Sequence, residues 1–114
     1  MYIQENQYIV ETRKSMRGGN GEVILEHISK TCLPGNQRLM AKITLDQGCS
    51  IGYHVHTGET EIFYVLEGCG LVNDNGTLRT LSKGETLITP NGHGHSVQNY
   101  NAQPLVLLAN IILD

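Results

Sequence analysis

Hydrophobic and polar positions alternate along most of this chain with a period of two. Arg38 to Leu45 shows it most clearly: Leu39, Ala41, Ile43 and Leu45 fall on one side, and Arg38, Met40, Lys42 and Thr44 on the other. Side chains at i and i+2 of a β-strand share a face, so this run predicts a strand with one apolar face. Tyr8–Thr12, Glu22–Ile28, Ile62–Leu66, Thr77–Leu81, Thr86–Thr89, Ser96–Asn99 and Leu105–Leu113 also read as strands. Turn chemistry separates them. Leu33-Pro34-Gly35-Asn36, Asp46-Gln47-Gly48, Gly68-Cys69-Gly70, Ser82-Lys83-Gly84-Glu85 and Asn101-Ala102-Gln103-Pro104 are breaks, and Asn75-Gly76 is a strong hairpin signal. About ten short strands and no amphipathic helix predict an all-β, antiparallel sandwich or barrel.

Composition narrows this picture. A chain of 114 residues is enough for one domain, 1–114, around one core. The 13 glycines suit many turns. The net charge of -3 and eight scattered Lys and Arg residues give no face for nucleic acid. The longest apolar stretch, Leu105 to Ala109, is too short to span a bilayer, and the start of the chain does not predict a signal peptide. Cys32, Cys49 and Cys69 form no C-x-x-C pair; read as reduced thiols packed as small apolar groups, they fit a cytoplasmic protein. Arg13-Lys14-Ser15-Met16-Arg17 precedes Gly18-Gly19-Asn20-Gly21. A glycine-rich loop beside arginines can cradle an anion, but the stretch reads better as a mobile connection carrying solvated charge.

The candidate chemistry lies between Gly48 and Gly68. His54 and His56 stand at i and i+2, so one strand can aim both at one point. Thr57-Gly58-Glu59-Thr60 is turn-like, and a hairpin there brings Glu61 back beside the histidines, with Glu59 solvated at its tip. Neutral imidazole and ionised carboxylate are good ligands for a divalent metal. His95 follows the restrained loop Pro90-Asn91-Gly92 and supplies a third imidazole. Three nitrogens and one oxygen suit one divalent transition metal: Mn, Fe, Co, Ni or Zn. His27 has no paired ligand and reads as a structural histidine.

Two motifs give these residues a wider meaning. Gly48, His54, His56, Glu61 and Gly68 follow G-x5-H-x-H-x3,4-E-x6-G, and Gly84, Pro90, Gly92, His95 and Asn99 follow G-x5-P-x-G-x2-H-x3-N. The chain therefore resembles the cupin superfamily, and in particular small bacterial cupins similar to oxalate decarboxylases. The resemblance implies a jelly-roll β-barrel, or double-stranded β-helix, with a metal inside held by His54, His56, Glu61 and His95. It does not fix a reaction. One expectation is a metal-dependent enzyme acting on a small carboxylate or sugar acid as a decarboxylase, isomerase or dioxygenase. The other is a non-catalytic module that binds a small molecule at the same site.

An enzyme needs an acid or base in reach of its ligand, and His93 and Tyr53 are the candidates. Arg38, Lys42 and Tyr64 are candidate ligand-binding residues wherever their strand faces turn inward, with Arg38 suited to a carboxylate. Asn99 reads as a support for the backbone. A homodimer is also expected. Leu105, Leu107, Ala109, Ile111 and Leu113 fall on one face of the last strand, and Val106, Leu108 and Ile112 on the other. One face can line the barrel while the other needs a cover. The first and last strands are the expected sheet edges, where a partner could add.

Overall fold

The computed structural model describes residues 1–114. Ten strands follow one another: β1 (Ile9–Lys14), β2 (Glu22–His27), β3 (Gln37–Leu45), β4 (Ser50–Val55), β5 (Glu59–Glu67), β6 (Cys69–Asp74), β7 (Thr77–Ser82), β8 (Thr86–Thr89), β9 (Gly94–Gln98) and β10 (Leu105–Leu113). The only helical elements are 3₁₀ turns at Glu5–Gln7 and Met16–Gly18. The strands build two facing sheets that remain separate ladders. Six lie in the order β1-β2-β3-β10-β5-β8, and four in the order β4-β9-β6-β7. Every pairing is antiparallel. From β3 onward, each connection except the β6–β7 hairpin crosses between sheets, as a jelly roll requires. That hairpin turns on Asn75 and Gly76, both at positive φ, as a two-residue turn of the primed type demands.

The alternation in β3 is borne out. Ala41, Ile43 and Leu45 are buried, and they meet Leu105, Leu107 and Ala109 of β10 from the same sheet. Ile51, Val72, Leu81 and Val97 come from the facing sheet, and Phe63 and Val65 complete the middle of this cluster. Full burial of each large apolar side chain contributes about 1.5–3 kcal/mol. Cys49 packs against the core, whereas Cys32 is exposed; no cysteine is paired.

Three local expectations need correction. First, β10 is no edge. It lies between β3 and β5, because its two apolar faces suit a central strand; the edges of its sheet are β1 and β8. Second, β4 and β5 do not pair as a hairpin. The turn at Thr57 and Gly58 carries the chain to the other sheet, so Glu61 approaches the histidines from across the barrel. Third, β5 already starts at Glu59, whose side chain is only 13% exposed. His27 and Asn99 match their readings. His27 Nε2 lies 2.8 Å from Glu11 Oε1. Asn99 Nδ2 donates to the carbonyls of Leu45 and Gln103, tying the end of β3 to the loop before β10.

Candidate metal centre

Two antiparallel strands of the smaller sheet place the histidines. His54 of β4 stands directly opposite His95 of β9. His56 lies one residue beyond β4 and is fixed by its backbone: its N–H donates to the His93 carbonyl, and its own carbonyl accepts from the Gly92 N–H. The glycine-bearing loop after Pro90 therefore clamps the end of the histidine strand. Glu61 enters from β5 of the larger sheet, paired with Thr89 of β8. His56, Glu61 and His95 are buried, and His95 stacks on Phe63 with ring centroids 4.9 Å apart.

The donor atoms of His54, His56, Glu61 and His95 all lie within 4.8 Å of one another. Glu61 Oε1 is 3.0 Å from both His56 Nε2 and His95 Nε2. Those two nitrogens are 3.1 Å apart. Metal bonds of roughly 2.1 Å set at right angles put neighbouring donors about 3.0 Å apart, so the spacing fits one face of an octahedral ion.

The outer ring nitrogens point to the same conclusion. His54 Nδ1 donates to the Gly52 carbonyl at 2.8 Å, and a carbonyl can only accept. His56 Nδ1 donates to Glu59 Oε2 at 2.8 Å. His95 Nδ1 lies 2.7 Å from Thr89 Oγ1. With the Nδ1 protons of His54 and His56 held outside, their Nε2 lone pairs turn inward toward a carboxylate. Buried acceptors this close need a cation among them, either a proton or a metal ion. The cluster can hold a metal ion.

The metal-free electrostatics carry the same imprint. Burial alone would raise the Glu61 carboxyl, but hydrogen bonds from His56 and His95 outweigh it and hold the pKa at about 2. Hydrogen bonding to Glu61 raises His56, with Glu59 adding to the effect. Burial lowers His54, and the nearby charges of His95, His56 and Arg17 act in the same direction.

A cavity of about 60 Å³ opens in front of His54, His56 and Glu61. Its walls are apolar, formed by Met16, Leu25, Leu39, Ile43 and Ile111, and Arg13, Arg17 and Arg38 add positive charge. It is far smaller than the roughly 300–1,000 Å³ of sites for drug-sized ligands, so it admits only a small molecule.

The remaining candidates are distributed unevenly. Tyr53 alternates with His54, lies 48% exposed on the outer face and packs its ring on Gly94. His93 is exposed and does not line the cavity. Tyr64 is 42% exposed on the outer side of β5. Lys42 lies opposite the inward face of β3, with its ammonium near Glu5 and Glu26. Only Arg38 of this group lines the cavity, and its fork is taken by Glu59: Nε at 3.0 Å and Nη2 at 2.8 Å.

Glu59, Thr89 and Arg17 are among the residues at the site that were not read from sequence as parts of it. Glu59 stands three residues after His56, a spacing that was visible. Thr89 left no signal, because its role depends on how β5 pairs with β8. Arg17 lay in a run read as solvated charge on a mobile connection; that stretch instead docks on β4. The Ser50 N–H donates to the Asn20 carbonyl, and the Asn20 N–H to Ser50 Oγ. A Cβ on Gly19 would overlap the Ser50 carbonyl, and one on Gly52 the Arg17 carbonyl. Arg17 itself has φ 54 and ψ 31, a left-handed conformation uncommon outside glycine.

Comparison with known proteins agrees with this architecture. Residues 41–111 match the cupin domain. The chain belongs to the cupin family. This cupin is 39% identical over 114 residues to the oxalate-binding protein of Thermotoga maritima, covering 99% of this chain and 94% of the relative. A crystal structure of a predicted oxalate decarboxylase from Thermotoga maritima superposes with a TM-score of 0.94 at 38% identity, covering 100% of both chains. KdgF from a Halomonas species shares the fold alone, with a TM-score of 0.76 at 17% identity over 100% of this chain and 94% of that one.

Proposed function

We propose that this cupin binds a small carboxylate anion on a divalent transition metal held by His54, His56, Glu61 and His95. The observation that carries the reading is the lining of the cavity. Its titratable side chains are three of the metal-ligand candidates, His54, His56 and Glu61, and three arginines, while Tyr53 and His93 lie elsewhere. Arginines suit an anion, and apolar walls strengthen its attraction to charge. The name of the Thermotoga relative, an oxalate-binding protein, agrees with a carboxylate. No acid or base outside the ligand candidates and arginines faces the cavity, so the geometry supports binding more directly than turnover. If the protein is an enzyme, the metal supplies the polarising chemistry.

Arg17 is the cation best placed to meet the anion. Arg13 contacts Glu11 and Arg38 contacts Glu59, but Arg17 has no ion pair and no side-chain hydrogen bond. Titration of the zinc-loaded protein with oxalate by calorimetry tests this reading. Binding is expected only with metal present. Arg17→Ala should weaken it roughly tenfold or more, the scale of one charge-assisted hydrogen bond, while zinc binding itself is retained. Oxalate binding that is equally tight to the metal-free protein would refute the reading.

The partner proposed for the protein itself is a second copy. Met40, Ile62, Tyr64, Ile88, Leu108 and Ile112 fall on the outer face of the six-stranded sheet, where none of them is fully buried. A two-fold contact across that face would cover them. Light scattering is expected to give twice the chain mass of 12.6 kDa, and a mass near 12.6 kDa across a wide concentration range would sink the dimer. The unpaired thiols suit a reducing compartment such as the cytoplasm.

A further inference from the structure

Arg38 departs from the alternation of its own strand. By period two it belongs with Met40, Lys42 and Thr44 on the outward face, yet it lines the cavity. The register explains this. Ile111 of β10 pairs with Leu39 and Ile112 pairs with Gln37, so Arg38 has no partner and forms a β-bulge. A bulge bends its strand and re-aims a side chain, and such features recur beside functional sites.

The re-aimed guanidinium crosses the end of β10 and grips Glu59 at the start of β5. Both contacts are short, with Nε 3.0 Å from Oε1 and Nη2 2.8 Å from Oε2. This is the forked geometry that arginine makes with carboxylates and lysine cannot. Glu59 Oε2 also accepts from His56 Nδ1 at 2.8 Å. His56 Nε2 then faces Glu61 and His95. An unbroken chain therefore runs from a backbone irregularity in β3 through two side chains to a candidate ligand atom.

We propose that Arg38 and Glu59 are positioning residues of the metal centre. Glu59 keeps the proton of His56 on Nδ1 and the ring turned inward, and Arg38 fixes the Glu59 carboxylate in the orientation that does so. This inference rests on the metal-centre reading above. A carboxylate behind a ligating imidazole holds its tautomer and increases its donor strength, and losing such a partner typically costs roughly 10–100-fold in metal affinity.

Zinc titration against a chromophoric competing chelator tests the proposal, at a pH where the histidines are neutral. Glu59→Leu is expected to weaken zinc by 10–100-fold. Glu59→Gln, whose amide oxygen still accepts from Nδ1–H, should recover most of that loss. Arg38→Met should weaken zinc less than Glu59→Leu does. The double variant should be no worse than Glu59→Leu alone, because the two residues act in series. Far-UV circular dichroism confirms that each variant is folded; if Glu59→Leu is not, Arg38→Met and Glu59→Gln carry the comparison. Zinc binding by folded Glu59→Leu or Arg38→Met as tight as the parent's would overturn the proposal, as would Glu59→Gln no tighter than Glu59→Leu, or additive losses in the double variant. A parent protein that does not bind zinc would instead overturn the metal-centre reading on which the proposal stands.

Discussion

His56→Ala is expected to abolish tight metal binding while leaving the fold in place. His56 offers one of four convergent donors, and its Nε2 sits 3.0 Å from Glu61 and 3.1 Å from His95. Losing a ligand should exceed the roughly 10–100-fold cost of losing a partner behind one. The fold should survive because His56 lies just outside β4 and the core is built by aliphatic side chains and Phe63. The change also leaves the buried Glu61 with one imidazole fewer, a cost of about 1–3 kcal/mol in the metal-free protein. Thermal melts with and without zinc separate the two effects. Zinc at a hundred times its dissociation constant stabilises a one-site protein by about 2.7 kcal/mol, or roughly 10 °C for a domain of this size. The parent should show that rise and His56→Ala should not. An equal rise in both would remove His56 from the ligand set.

The histidines of the donor cluster could be read from the sequence because they obey short-range geometry, whereas Glu61 joins them from across the barrel and not through the expected hairpin. His54 and His56 share a face by strand periodicity, and the loop carrying Pro90 and Gly92 marks the entry to His95. The strands followed from alternation for the same reason, and the Asn75-Gly76 hairpin from its dihedral demands. What stayed hidden depends on pairing between distant strands. Thr57-Gly58 looks like a hairpin turn, but whether it joins strands of one sheet or crosses between two is decided by the partners of β4 and β5, which are β9 for one and β8 and β10 for the other. Thr89 behind His95 and the bulge at Arg38 are register facts of the same kind. Arg17 was hidden for another reason. A basic run before glycines looks the same whether it waves in solvent or docks, and only the close approach of Gly19 and Gly52 distinguishes the two.

The same register facts explain why the cavity discriminates among its candidates. Lys42 and Tyr64 keep the outward side of their strands' alternation, and Tyr53 points outward beside the register shift between Ile51 and His54. Arg38 escapes through the bulge, and Arg17 arrives on a loop clamped to β4. Arg13 lines the cavity from the regular strand β1, so positive charge reaches it from a strand, a bulge and a loop. The metal-ligand candidates come from strands or, at His56, from a backbone fixed immediately beside one. The donor cluster thus sits on or beside strands, while Arg17 and Arg38 sit on loop and bulge, where local geometry changes at less cost to the core.

Acidity should act in opposite directions on the metal-free and metal-loaded protein. Hydrogen bonding to Glu61 raises His56 above its usual 6.5, and bonds from His56 and His95 hold Glu61 at about 2 against a usual 4.5. A raised folded-state histidine contributes stability that is fully present below 6.5 and is lost as pH rises through the raised value. A depressed carboxyl contributes stability present above 4.5 and lost as pH falls through about 2. The metal-free protein should therefore lose melting temperature as the solution is made more basic through the His56 transition. The metal reverses this trend, because it binds neutral imidazole and must displace the His56 proton. Its affinity should fall about tenfold per pH unit below that transition, and more steeply once His54, lowered by burial, also takes up a proton. Melting curves with excess zinc should accordingly rise with pH over the range where the metal-free curves fall. Parallel slopes with and without zinc would show that the metal does not displace the His56 proton, and His56 would then lie outside the ligand set.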